Sequence, residues 1–203
     1  MRIHFHELTN LSPTVGSTVL KLVEEIGELS REVQKYRHGS DNLQDLLGEL
    51  LDVSQTTATL TFVLEREGKT HLADAVASHI AKLQSKGYMD KDAMCDAGVS
   101  VEGGRLSLSL PELSIEPGLT DTFLKISEEA GELVQVIGKR SGMSGETRDI
   151  LDDESRGREL SLALLDVAQC CVTLLCIMAK RNNLNVEGLL QKHEEKLREH
   201  GYI

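Results

Sequence analysis

The chain has 203 residues, of which 40% are hydrophobic but only 3% aromatic, and it contains no tryptophan. This length allows one domain or two small ones, and a core of aliphatic side chains favours packed helices over a β-sandwich. The formal net charge of −11 argues against a general binder of the nucleic-acid backbone, which needs a basic face, but it does not exclude a nucleotide substrate.

The sequence shows no signal-peptide pattern and no unbroken run of eighteen apolar residues, so we expect a soluble, cytoplasmic protein with no membrane partner. No pair of cysteines has zinc-site spacing, and three of the four lie in one apolar helical stretch. We therefore expect buried thiols at Cys95, Cys170, Cys171 and Cys176.

Apolar periodicity predicts three helices in each half of the chain, with a short β-region between the halves. We expect the first helix of each half to begin at Ser12-Pro13 and at Glu116-Pro117, because proline is favoured in the first turn of a helix. A Gly-Gly pair within alternating residues predicts a hairpin, and the alternating residues 2–6 suggest a third strand beside it. In chain order the helices are expected over about 12–37, 43–67 and 71–86, the hairpin over 99–110, and the later helices over 116–140, 159–181 and 186–200.

A nine-residue acidic segment occurs twice, and each copy is followed by Leu-Leu-Asp-Val. The segment covers 21–29 and recurs at 125–133; Leu-Leu-Asp-Val stands at 50–53 and again at 164–167. We interpret the chain as an internal duplication with repeats at 1–90 and 115–203 and a linker at 91–114. The second copy has ten extra residues between its motifs, in the stretch 141–157, whose composition is that of a surface loop.

The first copy places two pairs of acids at helical spacing. Glu25 and Glu28 share one face of the first helix, and Glu49 and Asp52 share a face of the second, surrounded by leucines. Carboxylates forced together repel one another unless a cation lies between them, and Mg²⁺ binds carboxylate oxygens. The pattern therefore predicts a divalent-metal site for Mg²⁺, with Mn²⁺ as the alternative. The competing interpretation is that the first-helix acids only solvate an exposed face.

The spacing Glu25-x-x-Glu28, twenty residues, Glu49-x-x-Asp52 resembles the signature of the MazG-like all-α nucleoside triphosphate pyrophosphohydrolases. The resemblance implies an all-α helical bundle that hydrolyses a nucleoside triphosphate to the monophosphate and pyrophosphate. It also implies that these four acids are the catalytic metal ligands. The basic residues on the family's next helix correspond to Lys82 and Lys86, which are then expected to contact the phosphates.

The second copy departs from this pattern. Glu129, Glu132 and Asp166 match, but Ala163 stands in the position of Glu49, and thirty residues rather than twenty separate the two motifs. Glu159, one turn earlier, is better explained as the ordinary counterpart of Asp45 than as a substitute ligand. We therefore expect one competent site, in the first copy, and a degenerate second one.

The resemblance further implies assembly, because family members of this type pair identical subunits. The two repeats are expected to fold as a pseudo-dimer, and two chains to pair as a homodimer of pseudo-dimers. The residues considered for stacking on a nucleobase are Tyr36, His38 and Phe62.

Other features have simpler explanations. The sequence favours solvent-facing side chains for His4 and His6 and helix-surface or capping positions for His79 and His193. Glycine inside a helix costs about 1 kcal/mol relative to alanine. Its recurrence at Gly27 and Gly131 indicates either close helix packing or room for a ligand.

Two functions of other classes remain open from the sequence. One is a non-catalytic nucleotide or metal sensor, favoured by the damaged second acid set. The other is a structural helical bundle whose acids lie on the surface.

Overall fold

The computed structural model describes residues 2–90, 96–140 and 153–203. These residues form an all-α bundle of six helices with one small antiparallel sheet. In chain order the elements are β1 (Arg2–His6), α1 (Val15–Arg37), α2 (Leu43–Arg66), α3 (Leu72–Ser85), β2 (Gly98–Glu102), β3 (Arg105–Ser109), α4 (Leu119–Arg140), α5 (Asp153–Arg181) and α6 (Val186–Glu199).

The sheet confirms the predicted hairpin and its third strand. Strand order is β1-β3-β2, with Phe5 opposite Leu106 on one side and Val101 opposite Leu106 on the other. The turn between β2 and β3 contains Gly103 and Gly104, with φ values of 56° and 72°. A two-residue hairpin turn with positive φ at both positions needs glycine or a similarly tolerant residue. The sheet therefore ties the connection between the halves to the start of the chain.

Three helix starts differ by several residues from the predicted ones. α4 begins at Leu119 rather than at about 116, so Pro117 lies outside it. α1 begins at Val15, after an N-cap at Thr14 whose hydroxyl accepts the backbone N–H of Ser17 at 3.2 Å, so Pro13 lies outside the helix. α5 begins at Asp153 and not at Glu159, so residues 153–157 are helical instead of part of a loop. The rest of the predicted loop, residues 141–152, lies outside the described residues.

The core is centred on α2 and α5, which pack against each other. Leucines at helical spacing fill it, and buried threonines in α2 donate their hydroxyls to carbonyls one turn earlier, as Thr57 does to Val53 at 2.9 Å. These hydroxyls are therefore buried without losing a hydrogen-bond partner. α5 is long and apolar enough to cross a membrane by composition alone, but 83% of its most apolar window is buried inside the protein, as in a core helix.

The third helix of each half crosses to the other half. α1 packs with α2 and α4 with α5, whereas α3 packs on α5 and β2, and α6 packs on α2, α5 and β1. Because of this exchange, the side chains of α3 and α6 face the second helix of the opposite half.

Equivalent residues of the two halves make matching contacts. The residues correspond at an offset of 104 or 114, except that Pro111 takes the place of Leu110, the counterpart of His6. The matched pairs are Lys21–Glu25 at 2.7 Å with Lys125–Glu129 at 2.8 Å, Gln55 to the His6 carbonyl at 2.8 Å with Gln169 to the Pro111 carbonyl at 3.1 Å, and Asn10 to the Tyr202 carbonyl at 3.3 Å with Ser114 to the Tyr88 carbonyl at 2.9 Å.

Candidate metal centre

Three carboxylates from the first two helices converge. Glu25 on α1 and Glu49 and Asp52 on α2 each place one oxygen within 4.8 Å of the others. Leucines beside these acids, among them Leu29 and Leu50, are fully buried and fix the packing of α1 on α2. Glu25 is itself only 5% exposed, which places the acids at the edge of the core. In the ranges that the structure describes, no other three His, Cys, Asp or Glu side chains come this close.

Glu28 lies beside this group, outside the 4.8 Å cluster. Its side chain is 36% exposed and its carboxylate is 3.5 Å from the Arg31 guanidinium. Its charge still acts on Glu49, whose pKa it helps to raise. All four predicted acids therefore occupy one region, with three in close contact and the fourth at its solvent side.

The acids in this cluster disfavour one another's ionisation. Burial and then the charges of Glu28, Asp52 and Glu25 raise the pKa of Glu49 to about 7. Burial also raises the pKa of Glu25, although its hydrogen bond to Lys21 opposes that effect. Such mutual repulsion is what a bound cation would relieve.

A helix of the second half completes this cluster. Lys196 on α6 places its Nζ 2.6 Å from Asp52 Oδ2, and His193 places its Nδ1 3.7 Å from Asp52 Oδ1. Sequence reasoning missed both residues. His193 was expected at the surface but is 7% exposed, and burial lowers its pKa against the opposing effect of Asp52. A signal was available, since Lys82 and His79 pair with Lys196 and His193 at an offset of 114.

The second acid set has the same lysine and histidine contacts as the first but lacks one of its carboxylates. Asp166 is 7% exposed and is held by Lys82 and by His79, whose Nδ1 is 3.2 Å away. Burial alone would raise the pKa of Asp166, but the hydrogen bonds from His79 and Lys82 have the larger combined effect and lower it. Ala163, in the position of Glu49, is buried at 8% exposure. Here the buried acid pairs with the Lys82 ammonium and contacts the His79 ring.

The other second-set acids divide by exposure. Glu129 is buried at 4% exposure, whereas Glu132 and Glu159 are exposed. The exposed position of Glu159 does not support a role for it as the ligand that Ala163 lacks.

The structure corrects the placement of Lys82 and Lys86. Both were expected to serve the acids of the first copy, but they line a cavity with Asp166 and Glu129 of the second. The reason is the exchange of the third helices, which carries α3 to α5. His79, expected at the surface, is fully buried on the same helix.

The structure does not gather the three proposed base-binding residues at the acids. Phe62 is 5% exposed within the core, so the prediction that it stacks on a base is wrong. Tyr36 packs partly against the core and His38 ends α1 as its C-cap. Both lie about 12–15 Å along the helix axis from Glu28, at a rise of ~1.5 Å per residue.

His4 and His6 are half-buried and have partners, contrary to the expectation that they point to solvent. His4 Nδ1 is 2.9 Å from the Ser107 hydroxyl, and His6 Nε2 is 3.3 Å from Glu194. These contacts fasten β1 to β3 and to α6.

Neither Gly27 nor Gly131 marks close helix packing. A Cβ atom at either position meets nothing within 4 Å apart from its own helix backbone and immediate neighbours. That explanation of their recurrence is wrong.

Carboxylates that converge between the first two helices of an all-α bundle are suited to hold a divalent cation. Residues 14–87 match the family model of the MazG nucleotide pyrophosphohydrolase domain. The match covers α1, α2 and α3 and contains the four acids, so this part of the chain is similar to the MazG domain. No curated protein and no solved structure matched the chain.

Proposed function

We propose that the protein hydrolyses a nucleoside triphosphate between the α and β phosphates, giving a nucleoside monophosphate and pyrophosphate, in a reaction that requires Mg²⁺. The observation that carries the proposal is the convergence of Glu25, Glu49 and Asp52 within 4.8 Å, inside the segment that matches the MazG domain. Glu28, at the solvent side of this cluster, is the fourth ligand in the proposal.

The residues present fit a hard divalent cation. All four donors are carboxylates, the ligand type that Mg²⁺ prefers, with Mn²⁺ the closest alternative. Burial first and then the neighbouring carboxylates raise the pKa of Glu49, and the charge of Lys196 only partly opposes them. When bound, divalent cations would neutralise the triphosphate and lower the pKa of the attacking water.

The protein's own side chains orient these ligands. Lys21 holds Glu25 through a 2.7 Å contact, Lys196 holds Asp52 Oδ2 at 2.6 Å, and His193 lies 3.7 Å from the other Asp52 oxygen. The Lys196 side chain is 49% exposed, so it can turn from Asp52 towards a phosphate oxygen. We assign to Lys196 the phosphate-binding role that the sequence suggested for Lys82 and Lys86.

We further infer that the chain is an internal duplication folded as a pseudo-dimer with one competent site. The matching contacts of the two halves and the reciprocal exchange of α3 and α6 support the duplication. The buried Ala163, which stands where the first half has Glu49, supports the loss of the second site.

The proposal extends to assembly. Leu20 on α1 and Leu124 on α4, paired at an offset of 104, are 74% and 58% exposed. Exposed leucines at equivalent positions suit a two-fold contact between chains. We propose a homodimer of pseudo-dimers in the cytoplasm, and light scattering on the purified protein measures its mass directly.

One assay separates this function from its competitors. The protein is incubated with a panel of ribo- and deoxyribonucleoside triphosphates in Mg²⁺ or EDTA, and monophosphate and pyrophosphate are quantified. Equimolar release of both, dependent on Mg²⁺, is expected. Nucleotide-dependent stabilisation without turnover would indicate a sensor instead. No response to either nucleotide or Mg²⁺ would indicate a structural bundle.

The matched variant for this assay is Glu49→Gln, which keeps the shape of the side chain and removes its charge. It is expected to lose pyrophosphate release while its helical circular dichroism is unchanged. Full activity in Glu49→Gln would reject the assignment of the site.

A further inference from the structure

A separate cavity lies between α3, α4 and α5, beside Asp166. Its volume is about 230 Å³. Its polar lining includes Lys86, Glu129 and Asp166, and its apolar lining includes Tyr88, Leu113 and Ile115. An apolar wall with a few converging polar groups is the usual composition of a small-molecule site.

The charges around this cavity do not call for a metal ion. Ala163 supplies no carboxylate where the first half has Glu49. Within the described residues the cluster of three close acids lies in the first half only. A ligand of this cavity must therefore be held by protein groups alone.

Glu129 retains an unused acceptor at the cavity. The residue is 4% exposed; its Oε1 is 2.8 Å from Lys125 Nζ, and its Oε2 is buried without a hydrogen-bond partner in the described part of the chain. A buried carboxylate oxygen without a donor is costly, so an N–H or O–H group from a ligand would be stabilised there.

Lys86 offers an unused cation. It is exposed, it lines the same cavity, and it has no ion pair with any residue that the structure describes. Its counterpart in the other half is His200, so the extra positive charge is particular to this cavity. An ammonium group at this position suits a phosphate.

We propose that this cavity binds a nucleoside monophosphate without a metal ion, with the base against Tyr88 and the apolar wall, a donor of the base or sugar on Glu129, and the phosphate on Lys86. Ligand pockets usually range from roughly 300 to 1,000 Å³, so this cavity suits one base and its sugar better than a whole triphosphate. The choice of ligand rests on the proposed function, since a monophosphate is the product class of that reaction. The second half thereby retains nucleotide binding after the loss of its metal ligands.

Isothermal titration calorimetry on the full chain in EDTA tests the proposal. The probes are nucleoside monophosphates with each common base and the corresponding unphosphorylated nucleosides. We expect one monophosphate bound per chain, with the nucleoside roughly tenfold weaker, because a hydrogen bond to a charged group is lost. Lys86→Gln should weaken monophosphate binding by the same factor and leave nucleoside binding unchanged. Tyr88→Leu should weaken the binding of both ligands.

The counterparts in the other half provide matched controls. His200→Gln and Tyr202→Leu change the equivalent positions and are expected to leave binding in EDTA within twofold of the wild type. Absence of monophosphate binding in EDTA would overturn the proposal. Binding that survives both Lys86→Gln and Tyr88→Leu, or that is lost in His200→Gln, would overturn it as well, because the ligand would then lie elsewhere.

The Glu49→Gln variant keeps this test distinct from that of hydrolysis. It disables the proposed first site and leaves the residues of the cavity intact, so it should still bind monophosphate in EDTA. Loss of hydrolysis with binding retained supports both proposals, whereas retained hydrolysis would reject the first site alone.

Discussion

Lys196 lies 2.6 Å from Asp52, a residue 144 positions earlier in the chain. Lys82 makes the same kind of contact with Asp166, 84 positions later. A helix of each half therefore completes the acidic region of the other half. The segment that matches the MazG domain, residues 14–87, supplies the acids of the first region but not Lys196, which contacts Asp52.

Loss of Lys196 is expected to reduce activity, whereas loss of Lys82 is expected to reduce the stability of the fold. Lys196→Gln should lower pyrophosphate release by at least about tenfold, since a charge-assisted contact to phosphate is removed. Its effect on the melting temperature should be small, because the side chain is half-exposed. Steady-state kinetics and thermal unfolding on the same preparation measure both effects.

Lys82→Gln is the matched control for that variant. It leaves the buried Asp166 with His79 as its remaining partner, so it should destabilise the fold by about 2 kcal/mol. Hydrolysis, measured well below the melting temperature, should stay within about threefold of the wild type. A larger loss of activity in Lys82→Gln than in Lys196→Gln would contradict the assignment of the two lysines.

The raised pKa of Glu49 makes stability depend on pH in the metal-free protein. Its carboxyl keeps its proton up to a pKa of about 7 in the folded state, against 4.5 in the unfolded chain. Between these values the folded state binds more protons, so the free energy of unfolding falls as pH rises. Urea unfolding in EDTA from pH 4.5 to 7.5 measures that slope, and Glu49→Gln should flatten it. An equally steep slope in the variant would show that other groups cause it.

Mg²⁺ should stabilise the fold through the first acid cluster. A ligand that binds only the native state adds about 2.7 kcal/mol at a concentration of ~100 times its dissociation constant. The melting temperature should therefore rise with Mg²⁺ in the wild type and respond little in Glu49→Gln. Differential scanning calorimetry with Mg²⁺, Mn²⁺ and EDTA provides the comparison. Equal shifts in both proteins would place metal binding elsewhere.

The recurring helix glycines should be replaceable by alanine at no steric cost. Both positions are exposed and open, and alanine favours the helix by up to about 1 kcal/mol. Gly27→Ala and Gly131→Ala should each raise the melting temperature. Gly27 lies about 200° around α1 from Glu25, so activity should also be kept in Gly27→Ala. Loss of turnover in Gly27→Ala alone would show that the glycine leaves room for a ligand.

The sequence predicted the helices and the converging acids because both follow from local spacing. Three-residue spacing places Glu49 and Asp52 on one helix face whatever the tertiary structure, and the Gly103-Gly104 turn is encoded by its own residues.

The sequence could not reveal which half each third helix contacts. Short connections allow α3 to fold back on α2 or to cross to α5, and the apolar faces of the two partners are alike. Because α3 crosses to α5, Lys82 contacts Asp166 of the second acid set, and Lys196 on α6 contacts Asp52 of the first. The sequence also could not predict that a polar residue is buried when its partner is distant in the chain. His79, expected at the surface, is buried against Asp166.

The most direct test of a single hydrolytic site compares the two equivalent aspartates. Pyrophosphate release from the preferred triphosphate is measured in Mg²⁺ for Asp52→Asn and Asp166→Asn, each at a temperature where circular dichroism shows it folded. Asp52→Asn is expected to reduce the rate by at least about a hundredfold, as expected for the loss of a catalytic metal ligand. Asp166→Asn is expected to retain most of the rate. Equal loss in both variants, or loss in Asp166→Asn alone, would contradict the account.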